Sequence, residues 1–259
     1  MSIPLSLSGR VALISGGSRG IGAATVRMFA AAGAQVAFSY RRARAQAIAL
    51  AEDYGDGCYA IKSDLQTPAA ARELVSETVK RFGRLDILVA NHGVWPATDV
   101  GIDRMTDEQW HTTVSINLDG VFGLVKYAVG QMKSQTRMRA ATGHIVLISS
   151  TSGQRGEAYH CDYSASKGAL ISLTKSLASE LASLGIYVNC VAPGWVDTDM
   201  SADALADAKT GKQILRTIPL GRVAQPEEIA APVLFLCTEH AGFITGEVFN
   251  VNGGAVLVG

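Results

Sequence analysis

Tyr163 and Lys167 stand four residues apart in a segment whose leucines recur every three or four positions, a spacing typical of a helix. Side chains at this separation lie on one helix face, about 5–6 Å apart at Cβ. A phenol has an ordinary pKa of about 10 and is a poor base at neutral pH, but a nearby ammonium group favours the phenolate. The pair therefore predicts a general acid/base, Tyr163, whose pKa is lowered by Lys167.

Ser150 follows an apolar run that predicts a strand, and it precedes Tyr163 by thirteen residues. In α/β sheets, ligands bind beyond the carboxyl ends of the strands, where a hydroxyl can donate to an oxygen that gains negative charge. We therefore expect Ser150 to orient and stabilise a substrate rather than to attack it. Taken singly, each feature has an ordinary alternative: a Tyr-x-x-x-Lys pair on an amphipathic helix surface, or a serine in a turn or helix cap.

A glycine-rich turn, Ser15-Gly-Gly-Ser-Arg-Gly-Ile-Gly22, connects the first predicted strand to the first predicted helix. Glycines let backbone N–H groups approach a pyrophosphate at a helix N-terminus, where the helix dipole is positive. The spacing is G-x-x-x-G-x-G rather than the commoner G-x-G-x-x-G, so a merely tight connection stays open as the alternative. The residues predicted to bind a dinucleotide here are Gly16, Ser18, Arg19, Gly20, Ile21 and Gly22.

The composition favours a small-molecule substrate. Lys plus Arg and Asp plus Glu each total 23 in 259 residues, so the net charge predicts neither a nucleic-acid nor a membrane partner. The four cysteines form no C-x-x-C pair and no zinc-ligand spacing, and no metal site is predicted. The N-terminal stretch lacks a basic region followed by a long apolar run, so we predict a cytoplasmic protein.

Short apolar runs alternate with helical patterns along the chain, which is the pattern of βαβ units. The predicted strands are Arg10–Ser15, Gln35–Tyr40, Cys58–Asp64, Leu85–Ala90, His144–Ser149, Ile186–Ala192 and Val248–Val251. The predicted helices are Ile21–Ala32, Ala43–Tyr54, Ala69–Phe82, Asp107–Lys133, Tyr159–Leu184 and Pro226–Thr238. We predict one α/β domain over residues 1–259, a three-layer, doubly wound Rossmann-type fold with a mostly parallel seven-stranded sheet. The least periodic stretch, 195–223, has one weak helical piece and is predicted to be a flexible substrate lid.

These features together resemble the short-chain dehydrogenase/reductase family in its single-domain form. The resemblance covers essentially the whole chain, and further matching positions include Asp64, Asn91, Gly93, Asn117, Pro193, Gly194, Thr198, Gly221, Arg222 and Asn252. It implies a catalytic set of Asn117, Ser150, Tyr163 and Lys167, with Asn117 in a helical kink that holds a water for proton relay. A hydrogen bond within the core is the ordinary alternative for Asn117.

One segment departs from the family pattern. The usual Asn-Asn-Ala-Gly after the fourth strand is replaced by Ala90-Asn91-His92-Gly93. Ala90 cannot supply the hydrogen bonds of the first asparagine, so this corner's cofactor contacts or core bracing are in question. His92 is interpreted as a packed or solvent-facing replacement rather than a catalyst.

The end of the second predicted strand indicates which dinucleotide binds. NAD-binding folds often place an acid there for the ribose, whereas this strand ends at Tyr40 and is followed by Arg41 and Arg42. Together with Arg19, these residues predict NADP(H), because guanidinium groups bind a 2′-phosphate; a solvated helix start is the alternative. The other residues that the resemblance assigns to the cofactor are Asp64, Leu65, Asn91, Gly93, Tyr163, Lys167, Pro193, Gly194, Val196 and Thr198.

We therefore expect hydride transfer between NADP(H) and a ketone or secondary alcohol. The resemblance is greatest to the 3-oxoacyl-acyl-carrier-protein reductases, and it implies a homotetramer. Reductases or dehydrogenases of a sugar, polyol, steroid or xenobiotic ketone share this chemistry and stay open as alternatives. A non-catalytic dinucleotide-binding sensor is the alternative of a different class.

Substrate contacts are expected near the nicotinamide end of the cofactor. The residues predicted to make them are Ser150, Trp95, Gln154, His160 and Trp195. Lys133, Arg137 and Arg139 form either a docking patch for an acidic carrier protein or a solvated surface loop. The sequence predicts neither the physiological substrate nor the stereochemistry and direction of its conversion.

Overall fold

Seven runs of mostly apolar residues form the strands of one sheet in the computed structural model, which describes residues 5–136 and 141–257. The strands are β1 (Val11–Ile14), β2 (Gln35–Tyr40), β3 (Cys58–Lys62), β4 (Ile87–Ala90), β5 (Gly143–Ile148), β6 (Ile186–Pro193) and β7 (Val248–Val251). Each strand pairs in parallel with its neighbours, in the order β3-β2-β1-β4-β5-β6-β7. The predicted fold class and all seven strands are confirmed, and the sheet is entirely rather than mostly parallel.

Helices cover both faces of this sheet. They are α1 (Gly20–Ala31), α2 (Arg44–Glu52), α3 (Pro68–Phe82), α4 (Asp107–Val114), α5 (Gly120–Ser134), α6 (Thr151–Arg155), α7 (Cys161–Leu181), α8 (Ala202–Ala206), α9 (Ala208–Arg216) and α10 (Pro226–Leu236). Apolar residues of α1, α2 and α10 pack against one face, and those of α3, α5 and α7 pack against the other. Strands β1 and β4 consist only of buried residues, as expected of strands covered on both faces.

The order of the strands reverses between β1 and β4. β1 pairs with β2 on one side and with β4 on the other, so the two halves of the sheet extend outward from this pair. At such a switch point the connections that leave the two strands go to opposite faces, which opens a crevice beyond their carboxyl ends. The glycine-rich turn after β1 and the Asn91 segment after β4 both border this crevice.

The helix predicted over Asp107–Lys133 is present, but a π-helical turn divides it into two α-helical parts. Helix α4 ends at Val114, a π-helical turn occupies Ser115–Asp119, and α5 begins at Gly120. A π-turn inserts one extra residue into the helical ladder and displaces the side chains around it, often at functional sites. Asn117 lies within this turn, so the predicted helical irregularity at Asn117 is present.

The helix predicted from Tyr159 begins at Cys161 instead, because Tyr159 adopts a φ of 68°, outside the range of a right-handed helix. Helix α6 was not predicted. Its five residues are too few to show a helical period, although Ser150 caps its first turn.

The connection 195–223 leaves β6 and returns to the same place. Val196 and Ala224 form a parallel β-bridge, in which Asp197 N donates to Ala224 O at 2.8 Å and Ala224 N donates to Trp195 O at 2.9 Å. Two helices, α8 and α9, occupy the segment rather than the single helical piece predicted. Its role as a substrate lid stays a prediction.

Three further findings concern the described ranges. No helix within residues 5–136 and 141–257 is long and apolar enough to cross a membrane. The same residues contain no group of three or more His, Cys, Asp or Glu side chains that could hold a metal ion. Of the three basic residues considered as a docking patch, Lys133 lies in the last turn of α5, whereas Arg137 and Arg139 lie outside the described residues.

Candidate active site

Tyr163 and Lys167 lie in the first two turns of α7, beside the carboxyl end of β5. The Lys167 ammonium is 5.8 Å from the centre of the Tyr163 ring, on the same helix face as the spacing predicts. Lys167 is buried, and its Nζ donates to Ile148 O, the last carbonyl of β5, at 2.8 Å. This hydrogen bond fixes the position of the charge relative to the end of the strand.

Burial changes the pKa values of these two groups in opposite directions. It raises the pKa of the Tyr163 phenol to about 12, an effect that the hydrogen bond with Ser150 reduces and the negative charge of Glu157 increases. It also lowers the pKa of Lys167 to about 8, because the charged ammonium is desolvated. The pKa of the phenol thus lies above its ordinary value because desolvation dominates, and Tyr163 is protonated at neutral pH. The lowering effect expected of Lys167 stays a prediction.

Ser150 is brought to Tyr163 by a close contact between α6 and α7. Its side chain caps α6 by accepting a hydrogen bond from Ser152 N at 3.1 Å. A Cβ atom at Gly153 would lie 2.6 Å from the Lys167 carbonyl carbon, so only glycine allows the two helices to approach this closely. Ser149 adds a second link, since its Oγ donates to Lys167 O at 2.8 Å.

Asn117 connects the loop after β4 to α7 through its side chain. Its Nδ2 donates to Val94 O at 2.9 Å and its Oδ1 accepts from Val94 N at 2.8 Å. The same Nδ2 lies 3.1 Å from Ser166 Oγ, which in turn donates to Tyr163 O at 2.7 Å. The side chain thus makes the core hydrogen bonds named as its alternative role, while the water relay stays a prediction.

The glycine-rich turn has a geometry that larger residues could not adopt. Gly16 and Gly20 have positive φ angles of 67° and 53°, and a Cβ atom at Gly22 would lie 2.1 Å from Gly16 O. Asn91 Nδ2 donates to Ser15 O at 3.0 Å and to Gly16 O at 3.2 Å, which ties the turn to the loop after β4.

Helix α1 begins directly after this turn with its backbone donors uncapped by any described side chain and with no acid in its first turn. Backbone N–H groups at the positive end of a helix bind anions. The turn and the helix start therefore fit the diphosphate of a dinucleotide, and half-buried Ser18 and exposed Arg19 of the turn lie at the same place.

The predicted phosphate-binding arginines are accessible, and two of them face a carboxylate. Arg19 Nη1 lies 3.2 Å from Asp199 Oδ2, and Arg41 Nη1 lies 3.8 Å from Asp64 Oδ1. Arg42 is exposed. These side chains surround the open side of the crevice, where a 2′-phosphate would be accommodated.

Several predicted cofactor residues are buried rather than exposed to the crevice. Tyr40 is 7% exposed and packs in the core, and Leu65, Val196 and Pro193 are also buried. These buried side chains form the walls of the crevice and do not offer free polar groups to a cofactor.

Two glycines are placed where little space remains. A Cβ atom at Gly93 would lie 3.1 Å from Asn117 Oδ1 and 3.3 Å from Lys167 Nζ, and one at Gly194 would lie 3.0 Å from Asn252 Cα. Because Asn91 contacts the glycine-rich turn while Gly93 adjoins Lys167, the loop after β4 connects the glycine-rich turn to the end of the crevice where Tyr163 and Lys167 lie.

His92 belongs to the same loop and packs against Ser15. Its Nδ1 lies 2.8 Å from Ser15 Oγ, and burial, helped by the charge of Lys167, lowers its pKa to about 4. The ring is therefore neutral near pH 7 and braces the end of β1. This contact supplies a connection at the corner where Ala90 replaces the family's asparagine.

Three of the predicted substrate residues form an aromatic cluster. The ring of Trp95 lies 4.9 Å from that of His160 and meets the ring of Trp195 edge-on at 5.8 Å. Gln154 is directed elsewhere, because its Nε2 donates to Asn250 Oδ1 of β7 at 2.6 Å.

Sequence reasoning missed the positioning roles of Ser149, Gly153 and Ser166. Ser149 and Ser166 adjoin or lie within the motifs that were identified, and this proximity was the only available signal. Gly153 carries no signal, because its requirement arises from a contact with α7 that forms only in the folded chain.

Comparison with known proteins agrees with this arrangement. The family model described as enoyl-(acyl carrier protein) reductase matches residues 16–256. A 3-oxoacyl-[acyl-carrier-protein] reductase from Synechocystis sp. is 37% identical over 256 residues, covering 97% of this chain and 99% of that protein.

Two solved structures are similar over nearly the whole chain. One is a short-chain dehydrogenase/reductase, titled glucose/ribitol dehydrogenase, from Brucella melitensis, with a TM-score of 0.89, 33% identity and coverage of 99% of this chain and 100% of that chain. The other is a blue fluorescent protein from a metagenomic library in complex with NADPH, with a TM-score of 0.88, 33% identity and coverage of 97% and 100%. With a family model and relatives that match nearly end to end, the chain belongs to the short-chain dehydrogenase/reductase family.

Proposed function

We propose that this protein is an NADP(H)-dependent reductase of 3-oxoacyl thioesters. The observation that carries the proposal is the convergence of Ser150, Tyr163 and Lys167 at the end of β5, in the crevice that begins at the glycine-rich turn. A protonated phenol beside a hydroxyl fits the delivery of a proton to a carbonyl oxygen.

The residues of the chain have separate tasks in this reaction. When bound, NADPH supplies the hydride that reduces the carbonyl carbon. The Ser150 hydroxyl donates to the carbonyl oxygen as negative charge develops there, and the Tyr163 phenol transfers its proton to the same oxygen to give the alcohol. The buried ammonium of Lys167 stabilises the phenolate that is left and interacts with the ribose of the cofactor.

NADP(H) rather than NAD(H) is proposed from the charges around the crevice. Strand β2 ends at buried Tyr40 without a carboxylate for the ribose, and Arg19 and Arg41 lie at the open side. The similar blue fluorescent protein was solved with NADPH, which favours the same cofactor here. The glycine-rich turn, Asp64, Asn91, Gly93, Lys167 and the segment 193–198 would hold the remainder of the cofactor.

A 3-oxoacyl thioester is proposed as substrate because the Synechocystis relative carries that activity in its name over nearly its full length. Its acyl part would lie against Trp95, His160 and Trp195, with 195–223 as a lid. A sugar or polyol is the second candidate, favoured by the name of the Brucella protein and by the ring nitrogens of His160, which have no hydrogen-bond partner among the described residues.

The decisive experiment is a substrate panel with both cofactors. Acetoacetyl-CoA, a 3-oxoacyl-carrier-protein, ribitol, glucose and a steroid ketone are assayed with NADPH or NADP⁺ and with NADH or NAD⁺. We expect the highest kcat/KM for a 3-oxoacyl thioester with NADPH. A higher value for a polyol or steroid would reassign the substrate, and cofactor binding without turnover of any carbonyl would favour the sensor.

Tyr163→Phe tests the chemical step separately from cofactor binding. Loss of the hydroxyl should lower kcat by at least about 10²–10⁴-fold, the usual contribution of general acid catalysis. The Kd for NADPH should stay nearly unchanged, because the ring that packs near Lys167 is kept. A variant with normal kcat would remove Tyr163 from the proposed mechanism.

A further part of the proposal concerns the oligomeric state and the cellular location of the protein. We propose one catalytic domain over residues 1–259, active in the cytoplasm as a homotetramer, with no nucleic-acid or membrane partner. Support for self-association comes from Phe243 and Leu257, apolar side chains that are almost wholly exposed in the single chain. Light scattering coupled to gel filtration measures the mass, and a monomer in solution would contradict the tetramer.

A further inference from the structure

We propose that Asp199 determines cofactor selectivity by competing with the 2′-phosphate of NADPH for Arg19. The proposal rests on the proposed NADP(H) dependence and assigns a role to Asp199, which the sequence pattern does not single out. It follows from an ion pair that joins the two borders of the cofactor crevice.

The ion pair connects segments that are distant in sequence. Arg19 stands at the N-cap of α1, at the end of the glycine-rich turn, whereas Asp199 follows β6, 180 residues later. Arg19 Nη1 donates to Asp199 Oδ2 at 3.2 Å. Both side chains are open to solvent, with exposures of 67% and 71%, so either one can be taken by a ligand.

The position of Asp199 is fixed by its neighbours rather than by the ion pair alone. Buried Ser201 accepts a hydrogen bond from Thr198 N at 3.2 Å and donates to Thr198 O at 3.0 Å, which closes a tight turn around Asp199. The Thr198 methyl group also packs on the glycine-rich turn, 3.1 Å from where a Cβ atom of Gly20 would be. The backbone at Asp199 is therefore held close to the glycine-rich turn, with the carboxylate within hydrogen-bond distance of Arg19.

Competition follows from the charges. A phosphate monoester carries a charge of about −1.5 to −2 at neutral pH, and it needs the same N–H donors that Asp199 occupies. The carboxylate also repels the phosphate when both are near Arg19. NADH lacks this phosphate, so its binding does not require the ion pair to open.

The N–H donors of Arg41 are less occupied by a carboxylate than those of Arg19. Its distance of 3.8 Å to Asp64 exceeds hydrogen-bond length, so its donors stay available. Asp199 therefore weakens one of the two phosphate contacts and leaves the other intact, which reduces the preference for NADPH without abolishing it.

The test is the affinity of Asp199→Asn for the two cofactors, measured by calorimetry and by the fluorescence of Trp195, four residues before the substitution. Because an exposed ion pair contributes modestly, we expect the Kd for NADPH to fall about two- to fivefold and the Kd for NADH to stay the same. Asp203→Asn is the matched control, since Asp203 is an exposed acid on α8 and the change in charge is identical.

A double-mutant cycle identifies the partner. In an Arg19→Ala background, Asp199→Asn should give no gain in NADPH affinity, because the contested guanidinium is absent. An equal gain in that background, a gain of the same size in Asp203→Asn, or weaker NADPH binding by Asp199→Asn would each overturn the competition.

The wild-type affinities separate this inference from the proposed function. A wild-type protein that prefers NADH would contradict the NADP(H) assignment itself. A wild-type preference for NADPH that Asp199→Asn leaves unchanged would contradict only the role of Asp199.

Discussion

Two groups on one helix face, Tyr163 and Lys167, respond oppositely to burial because they are charged in opposite protonation states. Burial raises the pKa of the Tyr163 phenol to about 12 and lowers the pKa of the Lys167 ammonium to about 8, because it favours the neutral form of each group. Lys167 therefore loses its charged form first as the pH rises, and Tyr163, the proposed proton donor, keeps its proton well beyond that point.

The pH profile of reduction should show this order. We expect kcat/KM with NADPH to be high below about pH 8 and to fall above it, as Lys167 loses its proton. In Lys167→Arg the guanidinium stays charged, so any residual activity should keep its level to higher pH. A wild-type profile that is flat to pH 10, or the same decline in the arginine variant, would contradict this assignment.

Arg41 offers a test of cofactor choice at a single side chain. Since a charge-assisted hydrogen bond contributes about 1.5–3 kcal/mol, Arg41→Ala should weaken NADPH binding by roughly 10- to 150-fold. NADH binding should change little. Arg44→Ala serves as the control, because Arg44 is an exposed arginine at the start of α2. A similar loss of NADPH affinity in both variants would mean that it comes from the removal of a positive charge in this region and not from a specific contact of Arg41.

Tyr40→Asp combined with Arg41→Ala should invert the preference, because an acid at the end of β2 accepts from the ribose of NAD and repels the phosphate of NADP. The structure adds a cost: Tyr40 packs in the core, so this change also buries a carboxylate. The measurement is kcat/KM for both cofactors together with Tm. A folded double variant that still prefers NADPH would show that Arg19 suffices for the phosphate.

At the scale of the elements, the π-turn between α4 and α5 determines where Asn117 can reach. Asn117→Ala would leave the half-buried backbone N–H and C=O of Val94 without their Asn117 partners, at a cost of up to about 1–3 kcal/mol for each group. We expect a lower Tm and a lower kcat, because α7 loses its link through Ser166. Ser115→Ala in the same turn is the control, since Ser115 bonds only locally to Thr112 O. Equal behaviour of the two variants would contradict a bracing role.

The strands could be predicted because burial on both faces of the sheet requires apolar residues at successive positions, and such runs are visible in the sequence. Val11–Ile14 and Ile87–Ala90 are covered on both faces, so they are apolar at every position. The π-turn could not be predicted in the same way, because the extra residue changes the hydrogen-bond register without changing the apolar pattern. Asn117 in mid-helix was its only sign.

Among the site residues, Tyr163 and Lys167 could be placed together from their spacing alone. Local spacing could not reveal the ion pair of Arg19 with Asp199 or the contact of Gly153 with α7, because those partners meet only through the fold. It also could not give the pKa of Tyr163, because the sign depends on burial, which a spacing does not report.

At the scale of the whole molecule, two histidines with lowered pKa values make the stability of the fold depend on pH. His144, at the start of β5, has a pKa lowered to about 4, mainly by burial and also by the charge of Arg10. The unfolded chain binds this proton at its ordinary pKa of about 6.5, so the stabilisation is complete above pH 6.5 and is lost as the pH falls toward 4. His92 acts in the same direction.

His144→Phe tests this linkage. The free energy of unfolding of the wild type should fall between pH 6.5 and 4, by up to about 1.4 kcal/mol per pH unit for each such histidine. Phenylalanine keeps the edge-on contact with Tyr187 and cannot be protonated, so the fall should be shallower. Exposed His240→Asn is the control, and an unchanged slope in His144→Phe would contradict the linkage.

The short bridge between Val196 and Ala224 has a consequence for how the fold diversifies. The two ends of the intervening segment are hydrogen-bonded side by side, so their positions beside the sheet do not depend on how many residues lie between them. The entropy of closing a loop grows only slowly with its length, so insertions here cost little. Insertions in the segment beyond Ser201 are therefore expected to change the surface there while β5 and α7 keep Ser150, Tyr163 and Lys167 in place.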